Sequence, residues 1–346
     1  MTIKEVAATA GVSPSTVSRI INSQDNKFAS KEVRDRVWAV IREHGYVPNQ
    51  NAKNLKHNGA AVTRNKSIVC VLGRAKTINE NPFFEQITRA VEQHSLSVEV
   101  VVSNILTTNQ KFTRSDNGED SGNAIVIGRI QDKQIKIIEQ QFKNIVYIGR
   151  NQLQANFDQV ICDGREATEK VMNLLFDNKH KHIAYFGETA NEVRFTAYSE
   201  AMKKISGSDR PEGNCVFNVP HTAEGGYSAA EQMINQCKIL PTAVFCASDS
   251  IAIAAMRRFR EARIKIPQDI SIAGMDNIEL SAYVSPMLTT VEMPAVEMGN
   301  IAVNLLLDRI SKGHKLPLKT ILPSKLIERE SVGVNANNFI DQGSYI

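Results

Sequence analysis

The run Val12-Ser13-Pro14-Ser15-Thr16-Val17-Ser18-Arg19-Ile20-Ile21-Asn22 puts short hydroxyl side chains and one guanidinium at the start of an amphipathic segment. Val17, Ile20 and Ile21 share a face at helical spacing, which leaves the polar residues on the other. A helix that enters the major groove presents such side chains, from its N-terminal end, to base edges and phosphates. Ser13, beside the open N–H groups of a helix start, suits a phosphate oxygen. Arg19 suits the O6/N7 edge of guanine, which a guanidinium meets with two hydrogen bonds. Pro14 has no N–H to donate, so apolar contact with a thymine methyl is the most it offers. The plainer alternative is a small helical bundle with no DNA role.

Other chemistry is poorly represented. Gly73-Arg74-Ala75-Lys76-Thr77 lacks the upstream glycine of a phosphate-binding loop. No Gly-x-Ser-x-Gly elbow occurs. His180 and His182 are two residues apart, poor spacing for a helical metal pair. Cys70, Cys162, Cys215, Cys237 and Cys246 are scattered, without the close pairing of a zinc site, and are expected as reduced, buried thiols. These observations predict no enzyme, no metal and no cofactor.

The reading helix needs a scaffold, and the flanking residues supply one. Thr2 and Glu5 form a capping-box pattern ahead of Ile3, Val6, Ala7 and Ala10, and Gly11 ends that helix. Ser13 caps the second helix with Pro14 at its first position. Ser30 caps a third, carrying Val33, Val37, Val40 and Ile41, and Gly45 ends it. Charge follows this division. The 346-residue chain has a net charge of +4, with 42% hydrophobic and 23% charged residues. Residues 1–56 hold nine lysines and arginines against five acidic residues, so the remainder is neutral. A basic segment on a neutral body fits a nucleic-acid arm. No apolar run reaches about 18 residues and the N-terminus lacks a signal-peptide core, so no membrane partner and a cytoplasmic location are expected.

Tyr46-Val47-Pro48 stops any helix, and the polar stretch to Lys66 reads as a hinge. From Ile68 short apolar strands alternate with helical segments: Ile68–Leu72, Val98–Val102, Ala124–Ile127, Ile145–Ile148, His182–Phe186, Cys215–Val219, Ala243–Cys246 and Ile270–Ala273. Such alternation predicts doubly wound parallel sheets, and the length predicts two lobes with a ligand in the cleft beyond the carboxyl ends of the strands.

Together these segments are similar to the lactose-repressor (LacI/GalR) family of bacterial regulators. The resemblance rests on Thr2-Ile3-Lys4-Glu5-Val6-Ala7, Gly11-Val12-Ser13, Thr16-Val17-Ser18-Arg19 and Asn22, then Gly45-Tyr46-Val47-Pro48-Asn49 and Ala52-Lys53-Asn54-Leu55. Asn81-Pro82-Phe83-Phe84, Pro241-Thr242-Ala243-Val244-Phe245, Gly274-Met275-Asp276-Asn277 and Pro286-Met287-Leu288-Thr289-Thr290-Val291 extend it. Leu306-Leu307-Asp308-Arg309-Ile310 and Leu326-Ile327-Glu328-Arg329-Glu330-Ser331-Val332 look especially like the purine-repressor branch.

The resemblance implies an all-α helix-turn-helix headpiece plus an α/β two-lobed domain like that of periplasmic binding proteins. It implies a headpiece over 1–47, hinge 48–66, one lobe from 67–161 plus 292–321, the other from 162–291 plus 322–338, and a tail at 339–346. A homodimer would read a near-palindromic double-stranded operator. Ser13, Pro14, Ser15, Thr16, Ser18, Arg19 and Asn22 match DNA-contacting positions, with Ser15, Thr16 and Arg19 the direct readers. Ala52, Lys53 and Leu55 match the family's hinge, where a leucine wedges into the minor groove. Lys4, Lys31, Arg34 and Lys53 would meet phosphates. Asn81, Phe83, Arg194, His221, Ser248 and Asp276 match its effector positions, the effector being a sugar, sugar phosphate or nucleoside. A repressor is the expected outcome. A cytoplasmic solute receptor, or a regulator controlled by a phosphorylated carrier protein, are the alternatives. Three departures stand out: Gly149 where the family often has an aspartate, no asparagine near Ser248, and an Asn104–Gly122 stretch that reads as a shortened helix plus a mobile loop.

Overall fold

The N-terminal helices form where their caps dictate. In the computed structural model, which describes residues 2–22, 29–44, 46, 66–73, 82–107, 122–206 and 215–335, helix α1 (Ile3–Ala10) starts in a complete capping box. Thr2 Oγ1 accepts the Glu5 N–H at 3.3 Å, and the Thr2 N–H donates to Glu5 Oε2 at 2.7 Å. Gly11 closes the helix at φ +66°, a left-handed conformation that favours glycine. Helix α2 (Pro14–Asn22) begins after Ser13, whose Oγ accepts the Thr16 N–H at 3.1 Å. Helix α3 (Lys31–His44) begins after Ser30 in the same way, through the Val33 N–H at 3.4 Å.

Val6, Ala7, Ala10, Val17, Ile20, Ile21, Val37, Trp38, Val40, Ile41 and Tyr46 bury one another. Leu96 joins this core from α4 (Pro82–Ser97). Ion pairs flank the contact: Lys31 with Glu85 at 3.0 Å, Asp35 with Arg89 at 3.1 Å, and Arg42 with Glu92. Burial lifts the Glu92 carboxyl above its ordinary range despite Arg42.

The whole chain falls into two units, the N-terminal helices grouping with the first. The first gathers Met1–Asn79, Phe84–Ile161 and Ala295–Thr320, the second Glu80–Phe83, Cys162–Pro294 and Ile321–Ile346. Their strands, in chain order, are β1 (Lys66–Leu72), β2 (Val100–Thr107), β3 (Asn123–Ile127), β4 (Asn144–Gly149), β5 (Asp158–Cys162) and β6 (Ile183–Gly187). Then come β7 (Val216–Asn218), β8 (Ala243–Cys246), β9 (Ser271–Ala273), β10 (Thr290–Glu292), β11 (Lys319–Leu322) and β12 (Lys325–Ile327). The remaining helices are α5 (Asp132–Gln141), α6 (Gly164–Asp177), α7 (Val193–Ser206), α8 (Ala223–Gln236), α9 (Asp249–Glu261) and α10 (Ala295–Ile310).

In the first unit the sheet runs β11-β5-β4-β3-β1-β2, with β1 to β5 parallel. Its inner strands β3 and β4 are nearly continuous apolar runs because both faces are covered. At its edge Asp158, 0% exposed, takes Arg309 Nε at 2.6 Å and Nη2 at 2.7 Å, the Leu318 N–H at 2.8 Å and His314 Nε2 at 2.9 Å. This network ties α10 and the segment leading into β11 to β5.

In the second unit the sheet runs β7-β6-β8-β9, all parallel, beside an antiparallel ribbon of β10 with β12. Tyr185, Phe195, Tyr198 and Phe245 pack with ring centroids 5.2–5.7 Å from Tyr185. His180 bonds Thr242 Oγ1 at 3.0 Å and the Gly333 carbonyl at 2.9 Å, and His182 meets Cys215 Sγ at 2.9 Å. Both histidines are therefore spent on packing. Cys70, Cys162, Cys215 and Cys246 are buried free thiols and Cys237 is half-buried.

All eight strands read from the sequence are present, and β5, β10, β11 and β12 join them. Asn104–Thr107, expected in a shortened helix, instead extend β2. The reason is pairing: β1 supplies partners as far as Leu72↔Thr107, with a register shift between Ile68 and Val69. Residues 108–121 of that stretch lie outside the described residues.

Candidate nucleic-acid interface and effector site

Helix α2 seats its apolar face on α1 and α3, which turns the start of the helix outward. Ser13, Pro14, Ser15 and Arg19 are exposed, and Thr16 and Ser18 are half-buried. The Ser13 hydroxyl lies 2.8 Å from both Ser15 Oγ and Thr16 Oγ1, so three hydroxyls cluster at the helix N-terminus. That cluster combines open backbone N–H groups with donors and acceptors for a phosphate or base edge. Asn22 closes α2. Ala52, Lys53 and Leu55 lie outside the described residues. Of the cations assigned to phosphates, Lys4 is exposed. Two others are held within the protein: Lys31 by Glu85, and Arg34, whose Nη1 donates to the Ala29 carbonyl at 2.6 Å. The resemblance assigned them to phosphates; the neighbouring carboxylate and carbonyl are partners that a linear pattern does not show.

The second cluster forms at the carboxyl ends of the second unit's parallel strands, where open α/β sheets bind ligands. Beyond β6 come Glu192 and Arg194, beyond β7 His221, beyond β8 Ser248 and Asp249, and beyond β9 Asp276. Arg194 is 4% exposed and fully engaged by protein groups. Its Nε donates to Glu192 Oε1 at 2.7 Å and its Nη2 to Glu192 Oε2 at 2.9 Å, a fork-to-fork pair. Nη1 donates to the Ala247 carbonyl, and Nη2 lies 3.2 Å from His221 Nε2, which must accept there. Burial disfavours ionised Glu192, yet the Arg194 charge and hydrogen bonds win and hold the carboxyl far below its usual range. Asp276 adds to the field that keeps Arg194 protonated.

Asp249 opens α9 with no exposed surface. Its Oδ1 accepts the Thr290 hydroxyl at 2.6 Å and its Oδ2 the Ile278 N–H at 2.9 Å. Burial and then repulsion from Asp276 push its pKa up to about 7. Arg329 braces the loop after β9, donating to Asn277 Oδ1 at 2.7 Å, the Leu288 carbonyl at 2.7 Å and Ser281 Oγ at 3.0 Å. Ser248 Oγ caps α9, accepting the Ile251 N–H at 3.4 Å. Since the folded protein holds the Asp249 proton and the unfolded chain releases it near pH 3.8, stability is expected to fall as pH rises from about 4 to about 7. Asp249→Asn removes the charge and keeps an acceptor for the Ile278 N–H, while its amide N–H meets the Thr290 hydroxyl as a donor, reversing that bond. It is expected to flatten that slope and stabilise the protein by on the order of 2 kcal/mol at pH 8, read from urea melts across pH.

Arg194, His221, Ser248 and Asp276 thus belong to one strand-end region. Phe83 is buried at the second position of α4, and Asn81 lies outside the described residues. Glu192 and Asp249 escaped the sequence reading: a Glu-x-Arg at a helix start and an Asp after a capping serine look like routine helix-terminal charges. The glycine at 149 has a local cause. A Cβ there would stand 1.9 Å from the Tyr147 hydroxyl, so the tyrosine two residues back fills the space. No group of three or more His, Cys, Asp or Glu side chains among the described residues could hold a metal ion, and no described helix is long and apolar enough to cross a membrane.

Comparison with known proteins agrees with this geometry. Residues 2–49 match "Bacterial regulatory proteins, lacI family", and residues 172–332 match a periplasmic binding protein-like domain. The chain is 31% identical over 344 residues to the HTH-type transcriptional repressor MelR of Bacillus subtilis (strain 168), covering 96% of this chain and 98% of that protein. It is 30% identical over 349 residues to the HTH-type transcriptional repressor PurR of Aliivibrio fischeri (strain ATCC 700601 / ES114), with 96% and 98% covered. The lac repressor dimer bound to operator and the anti-inducer ONPF shares the fold, with a TM-score of 0.66 at 23% identity over 96% of this chain and 99% of that one. With an outward-facing reading helix and near end-to-end similarity to HTH-type repressors, the chain belongs to the lacI family of bacterial regulatory proteins, DNA-binding transcriptional regulators rather than enzymes.

Proposed function

We propose that this protein represses transcription by occupying a near-palindromic operator as a homodimer, and that a small polyhydroxyl effector at the Arg194 cluster resets its affinity. The observation that carries the proposal is the outward N-terminal end of α2, with Ser13, Ser15 and Arg19 exposed above a buried Val17-Ile20-Ile21 face. Residues 1–47 read the major groove, with Ser15, Thr16 and Arg19 on base edges and Ser13, Ser18 and Asn22 on the backbone. The hinge, 48–66, places Ala52, Lys53 and Leu55 in the minor groove. One lobe is 67–161 plus 292–321 and the other 162–291 plus 322–338; the effector contacts come from Asn81 and Phe83, in the segment Glu80–Phe83 that groups with the second unit, and from Arg194, His221, Ser248 and Asp276. Leu280 and Tyr283, 52% and 72% exposed, offer apolar surface to a second copy. The site of action is the cytoplasm, where the chromosome lies.

Arg19→Ala tests the base-reading role. Discrimination between the operator and scrambled duplex is expected to drop by about 1–3 kcal/mol per half-site in fluorescence anisotropy, with non-specific affinity nearly unchanged. Equal losses on both duplexes would instead make Arg19 a phosphate contact.

A further inference from the structure

We infer that Glu192 makes the Arg194 cluster selective for uncharged polyhydroxyl ligands, such as free sugars, and closes it to phosphorylated or carboxylate-bearing ones. This rests on the effector-site reading above and narrows it to one chemical class.

A buried arginine at the carboxyl end of parallel strands would by itself invite an anion. Here the invitation is already answered from within. Glu192 holds two of the guanidinium nitrogens at 2.7 and 2.9 Å, and the Ala247 carbonyl holds the third. The Glu192 side chain is 4% exposed, so water contributes little to its solvation. An incoming phosphate would have to displace that carboxylate, leaving it buried without a countercharge, a costly exchange. The wider field has the same sign. Asp276 stands close enough to act on both Arg194 and Asp249, and it is 5% exposed. Hydroxyl groups face no such barrier, since carboxylates and the His221 ring accept from or exchange with O–H groups without any change in charge.

Thermal melting of the full-length protein tests this with inorganic phosphate as the probe, against chloride at matched ionic strength. Wild type is expected to melt at the same temperature in both salts. E192Q, whose amide removes the carboxylate that Arg194 pairs with, is expected to gain a phosphate-dependent rise of several degrees. Its half-saturating phosphate concentration should be at least roughly tenfold below any seen in wild type. The E192Q/R194Q double variant, with the pair neutralised, should lose that rise. The proposal is overturned if wild type itself shows a phosphate-dependent rise that disappears in the double variant, or if E192Q shows none. A matched pair, D-ribose and ribose 5-phosphate, adds a second readout, in which a larger shift for the phosphate on wild type also overturns it. The effector-site reading fails separately: if no sugar alters operator affinity, regulation lies elsewhere, whatever phosphate does to these variants.

Discussion

Replacing Arg194 with alanine is expected to cost about 3–5 kcal/mol of folding stability, because it strands a carboxylate inside the protein. Glu192 is 4% exposed and meets Arg194 through two side-chain hydrogen bonds at 2.7 and 2.9 Å. With the guanidinium gone, the Ala247 carbonyl and His221 also lose their donor. A single R194A variant therefore confounds ligand binding with folding, and failure of its DNA binding would say little about the effector. The double variant E192Q/R194Q separates them. It removes both charges and is expected to recover most of the lost stability while no longer responding to ligand. Urea midpoints of the single and double variants decide this, and R194A matching wild type would show that the pair is not buried as described.

Asp158→Ala is the second large effect, also about 3–5 kcal/mol, and it acts in the other unit. One buried carboxylate accepts four hydrogen bonds there, from both arms of Arg309, from His314 and from the Leu318 backbone. Burial opposes the charge, but these partners outweigh it and hold the Asp158 carboxyl below its ordinary value. A depressed carboxylate stabilises the fold above its unfolded pKa of about 3.8 and loses that contribution as pH falls through the folded value. His314 shifts the opposite way, raised by its bonds to Asp308 and Asp158. Its contribution is complete below about 6.5 and fades as pH rises through the folded value. Wild type is thus expected to lose stability on both sides of weakly acidic pH, and Asp158→Ala to flatten chiefly the acid limb, since His314 keeps its bond to Asp308. A cost under about 1 kcal/mol would contradict the network.

Much of this architecture was legible because local signals and burial point the same way. The Thr2-Glu5 box, Gly11 and the Ser13-Pro14 start each act within a single turn, so the sequence pattern is the structure. The eight strands read correctly are apolar runs bracketed by turns. The others were hidden for separate reasons. β5 opens on Asp158 and Gln159, polar residues whose burial depends on α10 and on the segment before β11, more than 150 positions away. β11 is an edge strand with an alternating exposed face, and β10 and β12 are three-residue pieces held by each other. The proposed effector residues came from the resemblance, whereas Glu192 and Asp249 required coordinates. Nothing in a linear pattern distinguishes a buried carboxylate at a helix start from a solvated one. Lys31 and Arg34 show the converse, cations whose partners in the fold, Glu85 and the Ala29 carbonyl, no linear pattern shows.

The proposed regulator couples, in one chain, a DNA reader to a sensor of uncharged polyhydroxyl ligands. Fluorescence anisotropy with duplexes tiled across the protein's own promoter region, with and without a panel of free sugars, tests both halves at once. One near-palindromic tile is expected to bind at least a thousandfold tighter than scrambled duplex, with affinity falling steeply as salt rises. At least one free sugar is expected to shift that affinity by tenfold or more in wild type and not in E192Q/R194Q. Equal binding to every tile at low salt, or a sugar response that survives in the double variant, would contradict the account.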